Sequence, residues 1–92
     1  MYQTAPGFVH RKVAGADILI SIGVNVARFN GYVTLNETCA FLWDLMQTPK
    51  TAEQLAQSLT EEYEVTYQQA LADVNLLLEN LIAKGVVQEV AE

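Results

Sequence analysis

Cysteine and histidine occur once each among the 92 residues, as Cys39 and His10. The chain therefore has no internal disulfide and no Cys-x-x-Cys or His-x-x-x-His pair, which argues against zinc and iron–sulfur sites. The five glycines, at positions 7, 15, 23, 31 and 85, are scattered and none precedes a Lys-Ser or Lys-Thr pair. A phosphate-cradling loop is absent, and no cofactor and no metal are expected. Apolar runs last only a few residues, against the ~20 needed to cross a bilayer. Residues 1–12 lack the uninterrupted apolar segment of a secretory signal, so a soluble, cytoplasmic protein with no membrane partner is expected.

Positive charge is scarce as well: five Lys and Arg stand against eleven Asp and Glu, for a net charge of −6. The imbalance is uneven. Residues 1–50 carry Arg11, Lys12, Arg28 and Lys50 against Asp17, Glu37 and Asp44, a net +1, whereas residues 51–92 carry Lys84 alone against eight carboxylates, a net −7. The C-terminal half would repel phosphate.

Hydrophobic residues make up 51% of the sequence, which excludes a disordered chain. Ninety-two residues suffice for one core that buries roughly 60 to 65% of the unfolded surface, so residues 1–92 are expected to form a single domain. The first third reads as strands. Residues 8–13 are β-compatible, Ala14-Gly15-Ala16 suits a tight turn, and residues 17–22 are rich in isoleucine and bounded by Gly15 and Gly23. Residues 24–29 extend that strand past a bulge at Gly23, and Asn30-Gly31 turns the chain into Tyr32 to Leu35. A three-stranded antiparallel meander results, preceded by a Pro6-Gly7 loop.

The remainder reads as three helices. Asn36 caps the first, with Glu37 at its positive end and Ala40, Phe41, Trp43, Leu45 and Met46 supplying apolar contacts up to a stop before Pro49. Thr51 to Gln54 and Thr66 to Gln69 are capping boxes that open the second and third helices, and Lys84-Gly85 closes the third. Residues 86–90 are β-compatible and suit a short terminal strand or wing. On a helical wheel Ala70, Leu71, Val74, Leu77, Leu78, Leu81 and Ile82 fall within about 140°, a core-facing stripe, while Leu76 lies almost opposite and is expected to be an ordinary exposed leucine, an apolar spot for a partner being the alternative.

Reactive chemistry is sparse. Cys39 sits in the first turn of helix one, where free amides lower a thiol's pKa, but no base accompanies it, and a small buried packing role is expected. His10, beside Arg11 and Lys12, is expected at the surface, and Glu61, Glu62 and Glu64 form a solvated turn. The element order resembles a winged helix-turn-helix, which makes a DNA-binding regulator the alternative reading. The third helix carries Asp73 and Glu79 with only Lys84, so its docking on a polyanion is disfavoured and no nucleic-acid partner is expected.

Three blocks of sequence resemble PqqD-like proteins, the peptide-recognition modules of ribosomally made, post-translationally modified peptide pathways. The first is Leu35-Asn36-Glu37-Thr38 followed by Ala40-Phe41-Leu42-Trp43. The second is Thr51-x-x-Gln54-Leu55 with the turn at residues 61–65, and the third joins Ala72-Asp73-Val74, Leu77-Leu78, Leu81 and Gly85-Val86-Val87. The resemblance covers nearly the whole chain. It implies an α+β fold, winged helix-turn-helix-like, with a three-stranded N-terminal sheet and a three-helix bundle. It also implies a module without chemistry of its own, which binds a precursor's leader peptide as an added strand and presents it to a modifying enzyme, often a radical S-adenosylmethionine (radical SAM) protein. Cys39 departs from the pattern, standing where glycine or another small residue is expected and leaving a reactive role open.

A free strand edge offers unpaired backbone donors and acceptors to an extended peptide. Tyr32, Val33, Thr34 and Leu35 form the candidate edge, one alternate pair holding the core and the other lining a cleft. Asp73, Leu77 and Asn80, at i, i+4 and i+7, border the apolar stripe of helix three. Apolar leader residues are expected against Val33, Leu35 and Leu77, polar groups against Asp73 and Asn80, and basic leader residues suit the acidic half. An unoccupied edge would also support a homodimer, or a domain swap near Asn30-Gly31.

Overall fold

A computed structural model describes residues 1–22 and 32–91. The order is β1 (Tyr2–Thr4), β2 (Phe8–Val13), β3 (Ala16–Ser21), β4 (Tyr32–Leu35), α1 (Glu37–Leu45), α2 (Ala52–Glu62), α3 (Tyr67–Ala83) and β5 (Val87–Glu89). This is the expected α+β architecture: β2, β3 and β4 form an antiparallel sheet in that order, followed by three helices and a short terminal strand. The bulge at Gly23, the strand extension over 24–29 and the Asn30-Gly31 turn lie outside the described residues.

Register explains which side chains enter the core. Leu19 faces His10 on one side and Val33 on the other, and Asp17 faces Lys12 and Leu35. Period-two alternation therefore gathers Phe8, His10, Leu19, Val33 and Leu35 on the inner face and leaves Val9, Arg11, Ile18, Ile20, Tyr32 and Thr34 on the outer one. The β2–β3 turn places Ala14 at φ 52° and Gly15 at φ 82°, two consecutive left-handed residues, as a two-residue hairpin of right-handed twist requires.

Capping follows the sequence closely. Asn36 Oδ1 accepts from the Cys39 amide at 2.7 Å, and Thr51 and Gln54 form a reciprocal box at 3.1 and 2.9 Å. The third cap is only half of the expected box. Thr66 accepts from the Gln69 amide at 3.1 Å, but the Gln69 side chain turns along the helix and donates to Asp73 at 2.9 Å. Ile82 also departs from the wheel: in the last turn of α3 it is exposed, while Ala70, Val74, Leu78 and Leu81 are buried.

Two features were not expected from the sequence. The N-terminal strand β1 pairs with β5 as a separate two-stranded sheet, and its Tyr2 exchanges backbone hydrogen bonds with Lys50 beyond α1. His10, expected at the surface, stands on the inner face. Its Nδ1 lies 2.8 Å from Asp44 of α1 and its Nε2 2.9 Å from Asp17 of β3, with the ring edge-on to Trp43 at 6.4 Å. Trp43 itself is 2% exposed, and its indole donates to the Val86 carbonyl at 3.1 Å.

Candidate peptide-binding groove

The β4 strand has β3 on one side and no described strand on the other. Beside that open edge runs a groove of about 330 Å³, walled by the end of β4, the start of α1 and one face of α3. Thr34, Leu35, Asp73, Leu77 and Asn80, five of the seven side chains expected at a binding site, line it together.

Val33 and Tyr32 do not. Val33 lies opposite Leu19, is 8% exposed and belongs to the core, so the expected apolar anchor is a packing residue whose main chain alone lies on the edge strand. Tyr32 alternates to the outer face and is 66% exposed. Leu35 shares the core face with Val33 and is buried, yet it also borders the groove where β4 meets α1.

Five further residues line the groove: Asn36, Cys39, Leu76, Leu81 and Lys84. Leu76, 61% exposed, is the apolar spot opposite the core stripe, and α3 turns it toward the groove's rim. Lys84 was legible only as a helix terminator, although it continues the spacing of Asp73, Leu77 and Asn80 by one more turn. Cys39 is buried among core side chains, and burial pushes its thiol pKa up despite the opposing charge of Lys84. A thiol held protonated is a poor nucleophile.

The groove combines apolar walls with partly unsatisfied polar groups. Asp73 accepts one hydrogen bond, from Gln69, and Asn80 Nδ2 donates to the Leu76 carbonyl at 3.2 Å, which leaves its Oδ1 without a described partner. Lys84 has no carboxylate within ion-pair distance among the described residues. Among those residues no group of three or more His, Cys, Asp and Glu side chains is placed to hold a metal ion, and no helix is long and apolar enough to cross a membrane. The arrangement suits main-chain pairing along β4 with side chains received between β4 and α3.

Two solved structures share the fold. Lasso peptide synthetase B1 complexed with the leader peptide superposes with a TM-score of 0.76 at 24% identity, over 96% of this chain and 98% of that one. TbiB1 in complex with the TbiA(beta) leader peptide gives 0.75 at 18% identity, over 98% and 99%. No curated protein matches the sequence. The sequence pattern of coenzyme PQQ synthesis protein D matches residues 15–87, a span that takes in β3, β4 and all three helices, and the chain therefore belongs to the PqqD family.

Proposed function

We propose that this chain is a non-catalytic adaptor that binds the leader of a ribosomally made precursor peptide along β4 and presents it to a modifying enzyme, such as a radical SAM maturase. Residues 1–92 act as one recognition domain in this reading. The observation that carries it is the open edge of β4 beside a groove whose lining is half apolar and half polar. A backbone edge supplies affinity for any extended chain, and the pockets beside it supply selectivity. Both similar structures are complexes with leader peptides, which supports the same class of ligand here. The raised thiol pKa of Cys39 supports a role without chemistry.

A DNA-binding role has no comparable support. The exposed face of α3 presents Asp73 and Glu79 with Lys84, and a helix of that charge gains little from phosphate. Titration of isotope-labelled protein with the cognate leader should move amide signals along Tyr32–Leu35 and along residues 73–81. Shifts confined to α2 would overturn the placement, and salt-dependent binding of duplex DNA would overturn the adaptor reading. Without peptide, the same edge is the surface through which two copies would pair, so added leader should lower any dimer population.

A further inference from the structure

The α3 face of the groove is not uniform along its length. Asp73, Leu77, Asn80 and Lys84 recur at i, i+4, i+7 and i+11, and at 100° per residue they fall within about 60° of one another. All four line the groove, and Lys84 keeps helical backbone angles at the C-cap of α3. The stripe therefore begins with a carboxylate, passes an apolar and an amide side chain, and ends with an ammonium about 16 Å away. The ammonium end is the Cys39 end, since the Lys84 charge acts on that thiol. Asp73 and Lys84 are too far apart to pair with each other, and neither has an opposite charge within ion-pair distance among the described residues. Each is also exposed, so each charge is available to a ligand.

An extended chain reads such a stripe through alternate residues, because i, i+2 and i+4 of a strand share one face. Four residues of strand span about 13 Å, and the flexible lysine stem covers the remaining few ångströms. Resting on the strand-addition reading above, we infer that the groove selects an extended segment with an acidic side chain, an apolar side chain and a basic side chain at i, i+2 and i+4. The acidic residue sits against Lys84, the apolar one against Leu77, and the basic one against Asp73. The acidic balance of the C-terminal half alone would ask only for a basic leader. The position of Lys84 adds the second requirement and gives the site a polarity, hence a direction for the bound chain.

Three peptides of the same length and alternating background test this: one with Glu-x-Leu-x-Lys, one with Lys-x-Leu-x-Glu, and one with Gln at both charged positions. The protein should favour Glu-x-Leu-x-Lys over Lys-x-Leu-x-Glu by about threefold to tenfold, the range of two exposed ion pairs, with the glutamine peptide between them. Added salt should shrink the preference. The doubly reversed protein, Asp73→Lys with Lys84→Glu, should invert it, and thermal unfolding of that variant checks that these exposed substitutions leave the fold intact. Equal affinity for both charged orders, a preference for Lys-x-Leu-x-Glu, or a preference that survives the reversal overturns the polarity. If all three peptides bind equally while shifting amides along β4 and α3, the polarity fails and the groove reading stands. If none of them shifts those amides, the groove reading fails with it.

Discussion

Two helices flank the inner side of the sheet, and they meet it in different ways. The α1 junction is closed: Trp43 is buried with its indole hydrogen-bonded to Val86, and His10 bridges Asp44 of α1 to Asp17 of β3. The α3 junction stays open along β4, with exposed Leu76 and incompletely paired polar groups. Satisfied buried contacts hold a fold rigid, whereas an open edge with unused donors and acceptors has something left to offer a ligand. The two regions meet at Asn36, which ends the edge strand and caps α1, so the closed junction aims the open one.

The strongest way to break this contrast is at Trp43. Trp43→Ala removes the largest fully buried side chain and should cost about 3–5 kcal/mol, a large share of the stability of a small domain, read as a lower urea midpoint. Trp43→Phe keeps most of the apolar contact but removes one of two donors to the Val86 carbonyl, which still accepts from the Ala5 amide at 3.0 Å, for a loss of about 0.5–1.5 kcal/mol. Under conditions where the phenylalanine variant is folded, peptide affinity should match the parent. An unchanged unfolding midpoint in the alanine variant would contradict a closed junction that carries the fold.

Cys39 belongs to both regions, lining the groove while packed in the core. Cys39→Ala should cost about 1 kcal/mol in stability, the order of a small buried truncation, and leave peptide affinity within twofold. Because its burial keeps the thiol protonated, alkylation of the native protein should be slow at neutral pH and become fast on unfolding. Rapid modification of the folded chain would return Cys39 to the list of reactive groups.

The His10 bridge adds a pH dependence to the closed side. Both ring nitrogens face carboxylate oxygens, and a neutral imidazole has a proton for only one of them, so the geometry selects the imidazolium. Burial lowers the pKa of His10, but the hydrogen bonds and charges of Asp17 and Asp44 outweigh it and leave the value raised above the ordinary 6.5. Lys12, at 3.9 Å from Asp17, is the other charge on this inner face. A group whose folded pKa is raised stabilises fully below its unfolded value and loses that contribution as pH climbs through the folded one. Stability should therefore fall as pH rises above the ordinary histidine value of 6.5, and Asp44→Asn should flatten that slope. A parent and variant with parallel pH profiles would remove the bridge from the account.

Much of this contrast was legible in the sequence, and the exceptions share one cause. Caps and periodicity are local, so Asn36, Thr51 and Thr66 marked their helices, and the α3 spacing brought Asp73, Leu77 and Asn80 to one face. Pairing between distant segments is not local. Tyr2–Thr4 is too short to carry an alternating pattern, and it becomes a strand because residues 87–89 and Lys50 satisfy its backbone. His10 reads as a surface residue beside Arg11 and Lys12 until its register opposite Leu19 turns it inward. The same register decides that Val33, not Tyr32, is given to the core.

Leu76 offers the smallest perturbation of the fold and the sharpest test of the open side. It is 61% exposed on α3, so Leu76→Gln removes little buried surface, and glutamine is a good helix former. Stability should stay within about 0.5 kcal/mol of the parent. Leader affinity should nevertheless drop by about threefold to tenfold, because an apolar side chain at the groove's rim gains its burial only when a peptide covers it. Trp43→Phe is expected to do the reverse, losing stability while keeping affinity in the folded protein. If instead both substitutions moved stability and affinity together, the two junctions would be one cooperative unit, and the open edge of β4 would owe its shape to α3 as much as to α1.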